Sequence, residues 1–300
     1  MSTTTKTPTA PRDLYQEVTD RILAALRNGV CPWRKDWTAT NDTPRNWDNR
    51  AYRGINWLTL STLAYKSPVY VTFKKALELG GQVRKGEKGE IIVFWKFFKS
   101  KEIDPSTGKF KTIPMLRHYH VFNVEQCENL PELPSVEAKT FTPLEECERI
   151  VSTMPQAPAI TEDGKGCCFY RPSSDSVHMT DRHAFKTPEG FYGTLFHELG
   201  HATGHPSRLN RPGITEKANF GSDTYSREEL VAEITSANLC AHAGIASPLI
   251  ENHAAYLQSW LNVLQEDTKA IIWAAGKAAR AADFILGRTF EDTTTEEATA

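Results

Sequence analysis

The chain lacks any run of apolar residues approaching the roughly 18 that a membrane-spanning helix requires. Its opening residues, Met1-Ser2-Thr3-Thr4-Thr5-Lys6, carry no apolar signal core. No membrane partner is expected, and the expected location is cytoplasmic. The 6 cysteines, at positions 31, 127, 147, 167, 168 and 240, contain no C-x-x-C pair. That removes the usual zinc-ribbon and thioredoxin-like readings and leaves reduced thiols, with Cys167-Cys168 read as a buried pair of small residues. Spacings of the zinc-finger, RRM or helix-turn-helix kind are missing too, so readout of a duplex sequence has no support. There is no internal repeat, and almost no net charge, −2 over 300 residues.

That small net charge hides an asymmetry. Residues 1–125 carry 21 Lys/Arg against 12 Asp/Glu, a balance of +9, whereas residues 126–300 carry 14 against 25, a balance of −11. A basic half joined to an acidic half suggests an anion-binding module attached to something else.

The acidic half holds His197-Glu198-Leu199-Gly200-His201. On a helix, positions i and i+4 lie one above the other, so two imidazoles can grip one metal ion while Glu198 reaches a water beside it. At about 100° per residue, His201 falls near 40° from His197, and Phe191, Leu195, Leu199 and Ala202 gather on the opposite side. One face would bury in a core while the other offers two nitrogens.

A catalytic zinc needs three protein ligands and an open position. The extended pattern HExxHxxGxxH would supply the third ligand locally, but Ser207 stands where its last His belongs. His205 lies two turns beyond His197 on the expected helix, too far to join. A carboxylate on a following helix is the common solution, and a helix beginning at Ser226 offers Glu229 and Glu233 on one face, with Glu228 pointing away. Glu229 is the preferred ligand and Glu233 the acceptor for a ligand histidine's free N–H. Glu233 as ligand is the runner-up. Ser226-x-x-Glu229 also reads as a capping box, in which Glu229 would only satisfy the helix start. His178 and His183 are weaker candidates. With a metal in place, the chemistry would be hydrolysis of a peptide, Glu198 moving the proton. Tyr225 could donate to the oxyanion.

The expected architecture is α+β in two domains. Residues 1–11 read as disordered, 12–130 as a nucleic-acid-binding α+β domain, 131–142 as a proline-bearing linker, 143–290 as a mainly helical metallopeptidase-like domain with a small sheet, and 291–300 as a disordered tail. Helices are predicted over 14–26, around 73–79 and, singly or as a hairpin, over 252–287. The last is expected to bury Tyr256, Trp260, Leu264, Ile271, Ile272, Ala275 and Phe284. Strands are predicted over 91–98, 118–124, 169–170 and 176–179, with a turn at 104–108.

In the basic half, Trp33, Trp37, Trp47, Tyr52 and Trp57 interleave with Arg34, Lys35, Arg45, Arg50 and Arg53, followed by Asn56 and Lys74. Arg84, Lys85 and Lys88 punctuate a glycine-rich hairpin over residues 80–89. Cations that neutralise phosphates beside aromatic faces that stack unpaired bases suit single-stranded nucleic acid.

Several of these segments stand in a fixed order: Gly29-Val30-Cys31-Pro32-Trp33, Tyr52-Arg53-Gly54-Ile55-Asn56, the stretch from Leu79 to Gly89, the nine residues from His197 to His205, and Tyr225-Ser226-Arg227-Glu228-Glu229-Leu230. In these the chain resembles the ArdC antirestriction proteins of conjugative plasmids along nearly its whole length. The resemblance implies an N-terminal domain that binds single-stranded DNA, followed by a zincin-like metallopeptidase domain. It implies metal ligation by His197, His201 and a downstream glutamate, with Glu198 as acid/base. It also implies protection of entering DNA from host restriction. Zn²⁺ is the expected cofactor, and Mn²⁺ could replace it at a His₂Glu site. The partners implied are single-stranded DNA and a protein substrate of unknown identity, a host restriction component being one candidate. A rival of another class is a DNA-binding protection protein whose metal site is structural. An intact Glu198 weighs against that rival, and the histidines weigh against a metal-dependent nuclease, whose hard-cation sites cluster carboxylates.

Overall fold

A computed structural model describes residues 13–28, 31–33, 43–63, 65–103, 110–133, 142–163, 166–215, 223–246 and 253–289. The expected disordered ends, most of the linker, the turn at 104–108, and Arg34, Lys35 and Trp37 lie outside the described residues, as does the side chain of Tyr256.

The chain begins with α1 (Leu14–Arg27), which buries the predicted stripe Leu14, Val18, Ile22 and Leu26, and whose start is capped by the Asp13 carboxylate accepting from two backbone N–H groups. β1 (Arg45–Asn46), α2 (Gly54–Ser61), β2 (Val69–Thr72), α3 (Phe73–Glu78) and β3 (Gln82–Val83) follow. Two long strands, β4 (Glu90–Ile103) and β5 (Phe110–Asn123), then form an antiparallel ribbon, and β6 (Cys127–Glu128) closes this half. The main sheet has the order β1-β2-β5-β4, and β3 pairs with β6.

The second half opens with α4 (Pro143–Thr153), started by a reciprocal capping box between Thr142 and Glu145. β7 (Ala159–Glu162), β8 (Phe169–Arg171) and β9 (Ser176–Met179) make a small sheet with β9 in the middle, parallel to β7 and antiparallel to β8. Helices α5 (Pro188–Ala202), α6 (Pro212–Thr215), α7 (Asp223–Ala243), α8 (His253–Glu266) and α9 (Ala270–Ile285) complete it. The apolar pattern over 252–287 therefore resolves into a pair of helices. The fold is α+β, mainly helical in the second half.

One hydrophobic cluster takes residues from both halves: Ile22, Trp33, Trp57 and Val93 from the first, Leu230, Ile234, Trp260 and Ile271 from the second. Trp33 meets Trp260 edge-on at 5.3 Å. Elsewhere between the halves, Thr19 donates to the carbonyl of Thr268 at 2.7 Å, and Arg53 pairs with Asp283. The linker separates the halves along the chain, but not as packing units. A second core lies wholly in the second half, where Ile150, Val177, Phe196, Leu199 and Leu239 pack between α5, α7 and the small sheet.

Candidate metal centre

α5 starts at Pro188, whose missing N–H costs nothing at a helix start, with Thr187 accepting from the Gly190 N–H. It presses its apolar side into the second core and carries His197, Glu198 and His201 on the side facing α7. What brings the two helices together is Gly200. A Cβ there would stand 3.1 Å from the Cα of Ala232 on α7, tighter than an ordinary contact, so a bare glycine suits this approach. A buried Ser236 Oγ–H donates to the Gly193 carbonyl at 2.7 Å and pins the same pair.

The approach gathers His197, His201 and Glu229, all buried, with one donor atom of each within 4.8 Å of the others. The two Nε2 atoms are 3.1 Å apart. Glu229 places Oε2 3.4 Å from Nε2 of His197 and Oε1 3.5 Å from Nε2 of His201. Ligands at about 2.0–2.2 Å around a tetrahedral ion lie roughly 3.3–3.5 Å from one another, so this donor set fits a divalent ion of zinc-like size. Both Nδ1 atoms are buried without a formed hydrogen bond. They face carboxylates: Nδ1 of His201 is 3.6 Å from Oε1 of Glu228, and Nδ1 of His197 is 3.9 Å from Oε1 of Glu233. Such an arrangement presents Nε2 inward and leaves Nδ1–H to be oriented from behind.

The charges are strongly coupled. Burial opposes a proton on either imidazole, but the carboxylate of Glu229 and its neighbours outweigh it, raising His197 above its ordinary value and His201 well above. Burial likewise works to raise Glu229, yet the adjoining imidazoles hold its carboxyl far below the usual range. Glu198, 7% exposed, stands close enough to raise both histidines.

Glu228 does not point away. It is 4% exposed, and it accepts from Arg211, itself 1% exposed, through Nε at 3.0 Å and Nη2 at 2.5 Å. The same guanidinium donates to the Gly200 carbonyl at 2.7 Å and to Thr203 Oγ1 at 2.6 Å, closing the end of α5. Glu228 and Glu229 differ by about 100° around α7, so one reaches the outer nitrogen of His201 while the other reaches the inner. Ser226 lies three residues inside α7, so it does not cap the helix and the capping-box reading of Glu229 falls. Tyr225, partly buried, precedes Glu229 by one turn on the same side of α7. His205 lies beyond the end of α5 and bonds to Ser207. His178 is tied to Asp163 and Ser176 instead, and Cys167 is exposed rather than buried.

The predicted nucleic-acid residues scatter. Trp33 is 0% exposed and cannot stack on a base, which removes it from that set. Asn56 spends its amide on the backbone of Val93, donating at 2.7 Å and accepting at 2.9 Å, so it clamps β4 instead. Tyr52 packs edge-on against Tyr70, and burial raises its hydroxyl pKa. Arg53 is exposed but paired with Asp283, while Arg45 and Trp47 are half-buried. Lys74, Arg84, Lys85 and Lys88 are exposed, Arg84 beside Glu87 at 2.8 Å. Among the described residues no helix is long and apolar enough to cross a membrane.

Comparison with known proteins agrees with this geometry. Residues 145–277 match the family described as zincin-like metallopeptidase, and residues 12–122 match the N-terminal domain of anti-restriction factor ArdC. A DNA primase TraC of Escherichia coli is 36% identical over 96% of this chain, which spans only 28% of that primase. The Sinorhizobium fredii protein y4eC is 34% identical, with 94% of each chain covered. The metal-free crystal structure of antirestriction protein ArdC from plasmid R388 superposes with a TM-score of 0.73 at 38% identity, covering 92% of this chain and 97% of that one. Its Mn(II)-bound form gives the same TM-score at 37% identity, over 92% and 98%. Motifs, domain order and fold agree along almost the whole length: the chain belongs to the ArdC antirestriction family.

Proposed function

We propose that this protein shields entering plasmid DNA from host restriction by joining a surface for single-stranded DNA to a metal-dependent peptidase centre. The observation that carries the catalytic part is the convergence of two imidazole Nε2 atoms and the Glu229 carboxylate next to a buried Glu198. A divalent ion held by His197, His201 and Glu229, Zn²⁺ or in its place Mn²⁺, would polarise a peptide carbonyl and acidify a water. Glu198 would take that water's proton on its carboxylate and pass it to the departing amine nitrogen. Glu228 and Glu233 orient the imidazoles from behind, and Tyr225 is assigned to donate its hydroxyl proton toward the developing oxyanion. The protein substrate we favour is a component of the host restriction system.

One observation favours the rival reading, a protection protein whose metal site only holds the fold. The side chains of His197, His201 and Glu229 are just 9%, 12% and 7% exposed, which leaves little room for a peptide. Glu198→Gln separates the two. The substitution should keep the bound metal and the affinity for DNA while lowering peptide cleavage by about 10²–10⁴-fold. Cleavage at the wild-type rate in that variant would remove Glu198 from the proton path. Restriction protection measured in cells with the same variant tells whether the phenotype needs hydrolysis.

A further inference from the structure

Two exposed tryptophans stand out among the described residues, Trp95 at 42% and Trp273 at 40%, and neither belongs to the interleaved aromatic stretch of residues 33–57. Both lie beside α9. This helix departs from the charge of its surroundings. From residue 269 to 288 the acidic half carries Lys269, Lys277, Arg280 and Arg288 against the single carboxylate of Asp283, and that carboxylate is engaged by Arg53. Trp273, Lys277 and Arg280 recur at helical spacing on the solvent side of α9, with the Lys277 ammonium 5.8 Å from the Trp273 ring. Burial foremost, and then the cations of Arg280 and Arg211, lower the pKa of Lys277, with the Glu228 carboxylate working the other way.

The stripe leads into a cleft of about 570 Å³ between the two halves, walled by α9 and by the base of the β4–β5 ribbon. Arg53, Arg280 and Arg288 line it with Trp95 and its cross-strand neighbour Leu116. Tyr15 stands 6.3 Å from Trp95, and Lys269 lies 5.3 Å from the Tyr15 ring. The volume suits one or two nucleotides. An indole inside a cleft can be reached by an unpaired base but not by a stacked, paired one, and guanidiniums around it would neutralise phosphates.

We propose that single-stranded nucleic acid runs along the exposed stripe of α9 into this cleft, one base stacking on Trp95 and the flanking phosphates lying against Lys277 and Arg280. The inference rests on the nucleic-acid part of the reading above. It moves the contact from the N-terminal half alone to the junction of both halves, within reach of the helix that packs on α7.

The test uses the full chain, a labelled oligothymidylate and fluorescence anisotropy over a salt series, with metal content and thermal unfolding followed in each variant. Trp95→Ala and Arg280→Glu should each weaken binding by about 5-fold or more. Arg280→Glu should also flatten the log–log salt dependence by about 0.7, and Lys186→Glu, the same charge change at an exposed residue outside the cleft lining, should do neither. Wild-type affinity in both cleft variants, with a loss in Arg84→Glu, would overturn the path while keeping the nucleic-acid reading. No binding by the wild-type chain at any salt would overturn both. Should a variant unfold, photo-cross-linking of a 5-iodouracil oligonucleotide to the wild-type chain decides instead. Adducts at Trp95 or Trp273 support the path, and adducts confined to residues 80–89 overturn it.

Discussion

Glu228 and Glu229 are neighbours in the chain with different tasks. Glu229 faces the inner nitrogens of both histidines, whereas Glu228 stands behind His201, held by Arg211. Partners that orient a ligand imidazole are typically worth about 10–100-fold in metal affinity. Glu228→Gln, which keeps the shape and removes the charge, is therefore expected to weaken zinc binding within that range in competition with a chromophoric chelator. The HExxH spacing and a downstream glutamate were legible in the sequence because both are local patterns on one helix. The part played by Glu228 was not, since it depends on how α5 crosses α7. Arg211 left no local signal, being a loop arginine whose value lies wholly in its buried contacts. Asp175 shows a second such link. Arg208 and Tyr170 donate to it, and the Arg208 guanidinium foremost lowers its pKa below the ordinary 3.8. A depressed carboxyl stabilises the fold above its ordinary value and loses that contribution as the pH falls through its folded value. Asp175→Asn also suits the left-handed backbone there, φ 46°. It should lower the melting temperature at neutral pH, and the gap from the wild type should close below about pH 4.

At the scale of elements, α1 and α5 form as their apolar stripes and caps dictate. α2 escaped notice because its buried run, Trp57-Leu58-Thr59-Leu60-Ser61, has no polar face to give a period. Burial all round also explains why Trp57 does not serve as a stacking platform. The basic stripe of α9 was hidden the opposite way. Trp273, Lys277 and Arg280 are spaced for a helix, so they never appear as a run of aromatics and cations. Between elements, the critical contact is Gly200 against Ala232. Gly200→Ala should force α5 and α7 apart by a few tenths of an ångström. An overpacking cost of about 1–3 kcal/mol is expected, read as a lower urea midpoint, together with weaker metal retention because the histidines and Glu229 sit on opposite sides of that contact.

For the whole molecule, the charge asymmetry pointed to two unlike halves, and the family matches fall on residues 12–122 and 145–277 accordingly. What no local pattern encodes is that both halves close over one core. Residues 1–130 expressed alone would leave Trp33, Trp57 and Ile22 without the surface provided by Trp260, Leu230 and Ile271. Such a fragment should bind an apolar dye and give weak near-ultraviolet dichroism. A sharp, cooperative melt of that fragment would show the first half to be self-sufficient.

The edge-on meeting of Trp33 with Trp260 bears on how such proteins are passed on. The likeness to a primase takes in 96% of this chain yet only 28% of the primase, so there both halves stand together inside a larger polypeptide. A seam of interlocking indoles makes recombination between the halves costly, because each inherited partner must fit the other. Chimeras that join one half of this chain to the other half of a relative should therefore fail unless the residues facing Trp33 and Trp260 fit them.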